Sequence, residues 1–304
     1  MRNPEYLSKC LRKTILYVAY GAMISFLVAI MRSFAGMSLV DASNERGERF
    51  VDGNQTFYLV LVSCYYVLRR GESLRLTPKE WILLLVAVVM AVVSKNRSPF
   101  VALGVVMLII FGAKAKLGFL LRYLAIALLS VAILLVMFPT LWQQVEYAFG
   151  GLLNPMEDET GYWRLVIQGA ALDQALNTFW LGQGYGGYFS FVVPGFNDDL
   201  PMELPPHNQF LLLFLKTGIV GVVICVLLLV LLTVRSVSAL RHSGLTPEEK
   251  VTALCFLVVF ASHFLYGLAY DFFPLFGLMC GFAVIWFSAL DARGRSNALT
   301  SPET

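Results

Sequence analysis

Eight apolar runs divide this chain, at approximately residues 14–31, 56–68, 81–93, 99–113, 117–138, 209–234, 251–268 and 272–290. A water-soluble domain would have to bury all of them in one core. With 58% apolar and only 14% charged residues over 304 positions, and a mean hydropathy of +0.71, the chain lacks the polar surface to cover such a core. A bilayer removes that need, but it requires every backbone N–H and C=O to be paired within the segment, which leaves helices as the structure of runs like these. The expected fold is therefore all-α: a polytopic integral membrane protein with about eight transmembrane helices, forming a single membrane domain over residues 1–304. The first run follows Arg2, Lys9, Arg12 and Lys13 in the manner of a signal peptide. Its apolar stretch is too long for one and no small-x-small site follows, so it reads as an uncleaved anchor helix.

Basic residues orient these helices. If the N-terminus is cytoplasmic and every run crosses, the clusters at 2–13, 69–79, 114–122, 235–250 and 293–295 all fall on cytoplasmic segments and hold most of the 23 Lys and Arg, as the positive-inside rule requires. Both termini are then cytoplasmic. The two short runs on either side of Ser94-Lys95-Asn96-Arg97-Ser98 cross twice, because basic clusters flank the pair on one side of the membrane, so Lys95 and Arg97 face outward. Residues 32–55 and 139–208 form the sizeable external loops, and loops beyond about 12 to 15 residues are usually functional or disordered. The 139–208 extracytoplasmic loop has the apolar content of ordered structure. Trp163, Val166, Ile167, Ala170, Ala171 and Ala175 are spaced for an amphipathic helix over residues 162–179.

Several function classes fall away at this level. The net charge is a modest +3 and the basic residues are scattered over short loops, so no face suits nucleic acid. Four of the five cysteines lie in apolar runs and Cys10 lies in the basic N-terminal segment, which gives no disulfide framework. The run Gly182-Gln183-Gly184-Tyr185-Gly186-Gly187 has no strand before it and reads as a loop, not a dinucleotide site. His242 falls on the cytoplasmic side and His263 in an apolar run, leaving His207 alone outside, so no histidine metal cluster is expected. The acidic runs 157–159 and 198–199 read as solvated faces.

The residues able to carry chemistry gather outside. Arg97 breaks the charge bias in a tight turn at the membrane edge; its guanidinium can hold a phosphate or diphosphate bidentately, or can snorkel to water and lipid phosphate. Arg164 stands near the start of the amphipathic helix among mostly acidic neighbours, where a salt bridge competes with a ligand role. His207, in Pro205-Pro206-His207-Asn208, opens the run that begins at Gln209. An imidazole mostly neutral at physiological pH can take a hydroxyl proton, although Asn208 is a good N-cap and His207 can equally be a residue that merely precedes it. Lys216, two turns into the apolar run, calls for a cavity or a partner, and Asp271 is an outward candidate for orienting His207 or pairing an arginine.

Three motifs then resemble the bacterial O-antigen ligase and O-antigen polymerase superfamily. Ser94-Lys95-Asn96-Arg97-Ser98 is similar to that family's Ser-x-Ser-Arg turn. Tyr162-Trp163-Arg164 with Leu181-Gly182-Gln183-Gly184-Tyr185-Gly186 is similar to its arginine, amphipathic helix and leucine-glycine loop. Pro206-His207-Asn208-Gln209-Phe210-Leu211 followed by Thr217-Gly218-Ile219-Val220-Gly221 is similar to its His-Asn-x-x-Leu helix start and Gly-x-x-Gly. The resemblance implies a GT-C-like fold in the bacterial cytoplasmic membrane with its active face outside. It implies transfer of a glycan from an undecaprenyl-diphosphate carrier to a glycan or lipid A core acceptor, without a nucleotide sugar, a cofactor or an essential metal. It makes His207 the catalytic base and Arg97 and Arg164 the diphosphate ligands, with Asn208, Lys216, Asp271 and Lys95 in supporting positions. Membrane lipids and other polysaccharide-assembly proteins are the implied partners. Asn96 in place of serine, Lys216 and a chain shorter than typical members depart from the pattern. Two other readings stay open: a transporter or permease for a small anion or sugar, and a non-catalytic partner within a glycan-assembly complex.

Overall fold

The computed structural model of the chain describes residues 3–34, 57–59, 61–62, 77–80, 82–83, 85–86, 104–105, 159–178, 180–187, 189–192, 201–203, 205–242, 244–268 and 274–300. Among them the fold is all-helical, with one isolated antiparallel bridge, Phe191 to Met202, as its extended pairing. Among the described residues five long helices follow one another: α1 (Pro4–Phe34), α2 (Glu159–Asn177), α3 (Gln209–Leu240), α4 (Pro247–Tyr266) and α5 (Pro274–Thr300). Three helical stretches among these residues are long and apolar enough to cross a membrane: Gln209–Leu240, Pro247–Tyr266 and Phe276–Ser296. The expected runs between residues 56 and 138 lie largely outside the described residues.

α4 is the central helix. Its start is fixed by a capping box in which Thr246 Oγ1 accepts from the Glu249 N–H at 3.3 Å and Glu249 Oε2 accepts from the Thr246 N–H at 2.9 Å, with Pro247 supplying a preset first turn. Its most apolar window is 72% buried, against 17% for α3 and 28% for α5, which leaves the flanks of those two helices for lipid. Phe256 and Phe260 of α4 stack on each other, and Phe256 meets Trp286 of α5 edge-on. The Trp286 N–H donates to Ser8 Oγ of α1 at 3.0 Å, so the deepest indole has its partner.

Ion pairs set the helix directions. Arg12 of α1 reaches Glu248 at 3.1 Å, Arg293 of α5 holds the fully buried Glu249 with two hydrogen bonds of 2.7 and 3.1 Å, and Arg235 of α3 meets Asp291 of α5 at 2.7 Å. The start of α1, the end of α3, the start of α4 and the end of α5 therefore share one end of the bundle. At the opposite end the Gln209 N–H donates to the Gly267 carbonyl at 2.7 Å, tying the start of α3 to the end of α4.

α3 is continuous in extent but broken inside. Gly218 has φ 69° and ψ −167°, outside the helical region. At a rise of about 1.5 Å per residue, residues 219–240 climb about 33 Å and α4 about 30 Å. Because Gln209 meets the end of α4, residues 209–217 cannot keep climbing and must run across that end of the bundle.

Candidate functional site

α2 packs on this crossing half-helix. Its apolar stripe buries Ile167, Ala171 and Ala175 completely against Phe214 and Leu215 of α3, with Phe189 and Phe191 closing the cluster. The expected amphipathic helix over 162–179 is thus present as α2, starting a few residues earlier and ending slightly sooner. Alanines at two of the three fully buried positions let the backbones approach closely.

The glycine run is a tight loop that plugs the break in α3. Gly182 and Gly184 have φ 77° and 78°, and Trp180 φ 67°, so the chain turns sharply after α2. The turn brings the Gln183 and Gly184 N–H groups onto the carbonyls of Leu215 and Lys216, both at 2.9 Å, while the Ile219 N–H donates to the Trp180 carbonyl at 3.0 Å. Those two carbonyls lose helical partners where Gly218 departs from the helix, and the loop supplies replacements. The fit excludes a side chain on either partner, since a Cβ on Gly182 would strike the Gly218 nitrogen and a Cβ on Gly218 would strike the Trp180 carbonyl. Lys216 finds a backbone partner: its Nζ donates to the carbonyls of Gly187 and, at 3.5 Å, Tyr185.

His207 sits where these pieces converge. Its backbone is in the left-handed region, φ 48°, between buried Pro206 and Asn208. Asn208 caps α3, its Oδ1 accepting from the Leu211 N–H at 3.1 Å, as the helix-start reading of this sequence expects. The imidazole is half-buried and stands 5.5 Å from the ring of Trp163, tilted by 44°. Trp163 precedes Arg164, so two motifs more than forty residues apart in sequence meet at this contact. Beside it an open cleft of about 520 Å³ runs between α2 and α3, lined by Leu165, Leu172, Asn208, Phe210, Phe214 and Leu268.

Arg97, Lys95 and Asp271 lie outside the described residues. His263 does not join this site. It is 1% exposed inside α4, stacked on Phe276 at 4.3 Å. Its Nδ1 donates to the Val259 carbonyl, an acceptor only, at 2.8 Å, and its Nε2 lies 3.1 Å from the Tyr58 hydroxyl. That is an imidazole built into the core. Sequence reasoning missed the break at Gly218 and the part played by Trp163. The available signal was a Thr-Gly-Ile-Val-Gly segment inside an apolar run and an aromatic next to an arginine.

Residues 82–226 match the family model described as O-antigen ligase. The match takes in Arg97, α2, the glycine loop, His207 and the break in α3, and ends shortly beyond it. No curated protein matches the chain.

Proposed function

We propose, from the match of residues 82–226 to the O-antigen ligase family model, that this protein moves a glycan from an undecaprenyl-diphosphate carrier to an acceptor hydroxyl at the outer face of the bacterial cytoplasmic membrane. The family supports glycan transfer by an integral membrane protein in general; the carrier, the acceptor and the roles below belong to the proposal. His207 takes the proton of the acceptor hydroxyl as it attacks the anomeric carbon. Arg97 and Arg164 hold the diphosphate leaving group and neutralise the charge it gains. Attack from the face opposite the leaving group inverts the anomeric centre.

The observation that carries this reading is the contact between His207 and Trp163. It joins the helix start to the arginine-bearing turn of α2, at the end of the bundle where residues 209–217 run across. A base on the start of α3 and an anion ligand in the first turns of α2, as proposed here, suit a substrate with a polar diphosphate and an apolar tail. The apolar cleft beside Asn208 is a suitable neighbour for such a tail. A broken membrane helix also occurs in transporters, where the freed carbonyls coordinate ions. Here the Leu215 and Lys216 carbonyls already accept from the glycine loop, which favours transfer over transport.

The test is genetic and chemical. His207→Ala, Arg97→Ala and Arg164→Ala, each present at the parent level in membranes, are expected to lose polymer or conjugate while the lipid-linked precursor accumulates. For His207→Ala the loss should be about 10² to 10⁴ in rate. Normal product from His207→Ala would refute the assignment.

A further inference from the structure

Lys216 and the glycine loop meet where α3 breaks, and the transfer chemistry above uses neither. A cation within an apolar run is costly unless something employs it. The backbone bonds from Gln183, Gly184 and Ile219 seat residues 180–184 against the break. The Lys216 ammonium adds a tie further along, to the carbonyls of Tyr185 and Gly187, closing the loop just before Phe189 and Phe191 enter the outer core. The other end of the loop is the C-terminal end of α2, and Trp180 there packs 5.4 Å from Phe214 of α3. α2 is thus held along residues 209–217 at its far end by the loop and along its length by Ile167, Ala171 and Ala175. Its first turns carry Trp163, which stands against the His207 ring.

The geometry points to Lys216 as a positioning residue for glycan transfer: its ammonium locks the 180–187 loop into the break of α3 and thereby fixes α2, which sets Trp163 against the His207 imidazole. This rests on His207 being the base. With the tie cut, the loop loosens and α2 gains freedom to shift along its seam with α3, where two of its three fully buried positions are alanines. A misplacement of about 1 Å at a reacting group can cost about 10²-fold in rate. Lys216 touches the loop and not the substrate, so its loss should lower kcat and leave the donor KM nearly unchanged.

The experiment compares Lys216→Met, which keeps apolar length without a donor, with Lys216→Arg, which keeps both charge and donors. The full chain is purified, and turnover is followed on lipid-linked glycan extracted from membranes of the producing strain. Lys216→Met should exchange its Gln183 and Gly184 amide hydrogens about tenfold or more faster and lose about tenfold or more in kcat, with KM within about twofold. Lys216→Arg should return both readouts to within about threefold of the parent. Parent kcat in Lys216→Met overturns the proposal, as does equal damage in both variants. Should Lys216→Met fail to accumulate, Lys216→Gln, neutral but still a donor, takes its place: an intermediate kcat supports the tie and an unchanged one overturns it. His207→Ala runs alongside. If it is inactive while Lys216→Met is normal, only the positioning role falls; if it is active, the assignment of the base falls and the positioning role with it.

Discussion

His207 pairs a chemical argument with a conformational one. A left-handed backbone costs an L-residue about 1–2 kcal/mol, and the capping bond of α3 is made by Asn208, which is itself extended at φ −151°. The strain therefore is not needed to start the helix; it aims the imidazole at Trp163. Glycine at 207 releases the strain and forfeits the ring contact, itself worth about 0.5–1.5 kcal/mol, so the two effects nearly cancel. His207→Gly is expected to unfold within about 1 kcal/mol of the parent in a detergent thermal melt, while product formation falls by about 10²-fold or more. His207→Ala keeps the strain and loses the contact, and should melt below the glycine variant. Full activity in His207→Gly would reduce residue 207 to a backbone role.

At the scale of elements, the loop and the break of α3 form one unit. Gly218 combines φ 69° with ψ −167°, a region essentially confined to glycine, and its α-carbon faces the Trp180 carbonyl. Gly218→Ala and Gly182→Ala should each destabilise by about 1–3 kcal/mol. Both damage the same interlock, so the double variant should fall short of their sum by about 0.5–3 kcal/mol. Additive losses would mean that the two glycines act separately. Two of the helices were legible in the amino-acid sequence: the 3.6-residue spacing of Ile167, Ala171 and Ala175 marks α2, and the apolar run over residues 251–268 marks α4, although its capped start at Thr246 lies ahead of that run. The break was not, because residues 209–234 read as one apolar run despite Lys216, and glycine is frequent in membrane helices. What makes Gly218 a break is a partner loop some thirty residues upstream, and periodicity is blind to such a partner. Likewise His207 and Arg164 were legible as separate motifs, whereas the Trp163 contact that joins their segments is a product of α2 docking on α3.

At the scale of the molecule, charge and chemistry divide between the two ends of the bundle. Arg12, Arg235 and Arg293 all pair at the end that holds the start of α1 and the end of α5; the turn between α3 and α4, with Arg241 before it and Lys250 in the first turn of α4, closes that same end. These pairs differ in weight. Arg235 and Asp291 are 55% and 41% exposed, and such pairs contribute about 0–1 kcal/mol. Glu249 is fully buried, and removing its arginine would strand a carboxylate, so that end is built around a charge that cannot pass through lipid. By the positive-inside rule, lysine and arginine concentrated at one end of a helix bundle favour the cytoplasm for that end, and we propose that orientation here. On that proposal the glycine loop, His207 and α2 face outward, as a lipid-linked glycan presented outside requires. The orientation can be read from two exposed positions, Tyr185, which is 79% exposed on the loop, and Gly244, exposed in the α3–α4 turn. A charged, membrane-impermeant maleimide added to spheroplasts is expected to label Tyr185→Cys above the parent background and to label Gly244→Cys only after permeabilisation. The reverse pattern would put His207 in the cytoplasm, where the acceptor and donor of the proposed transfer would not meet it, and would overturn the orientation and the proposed function together.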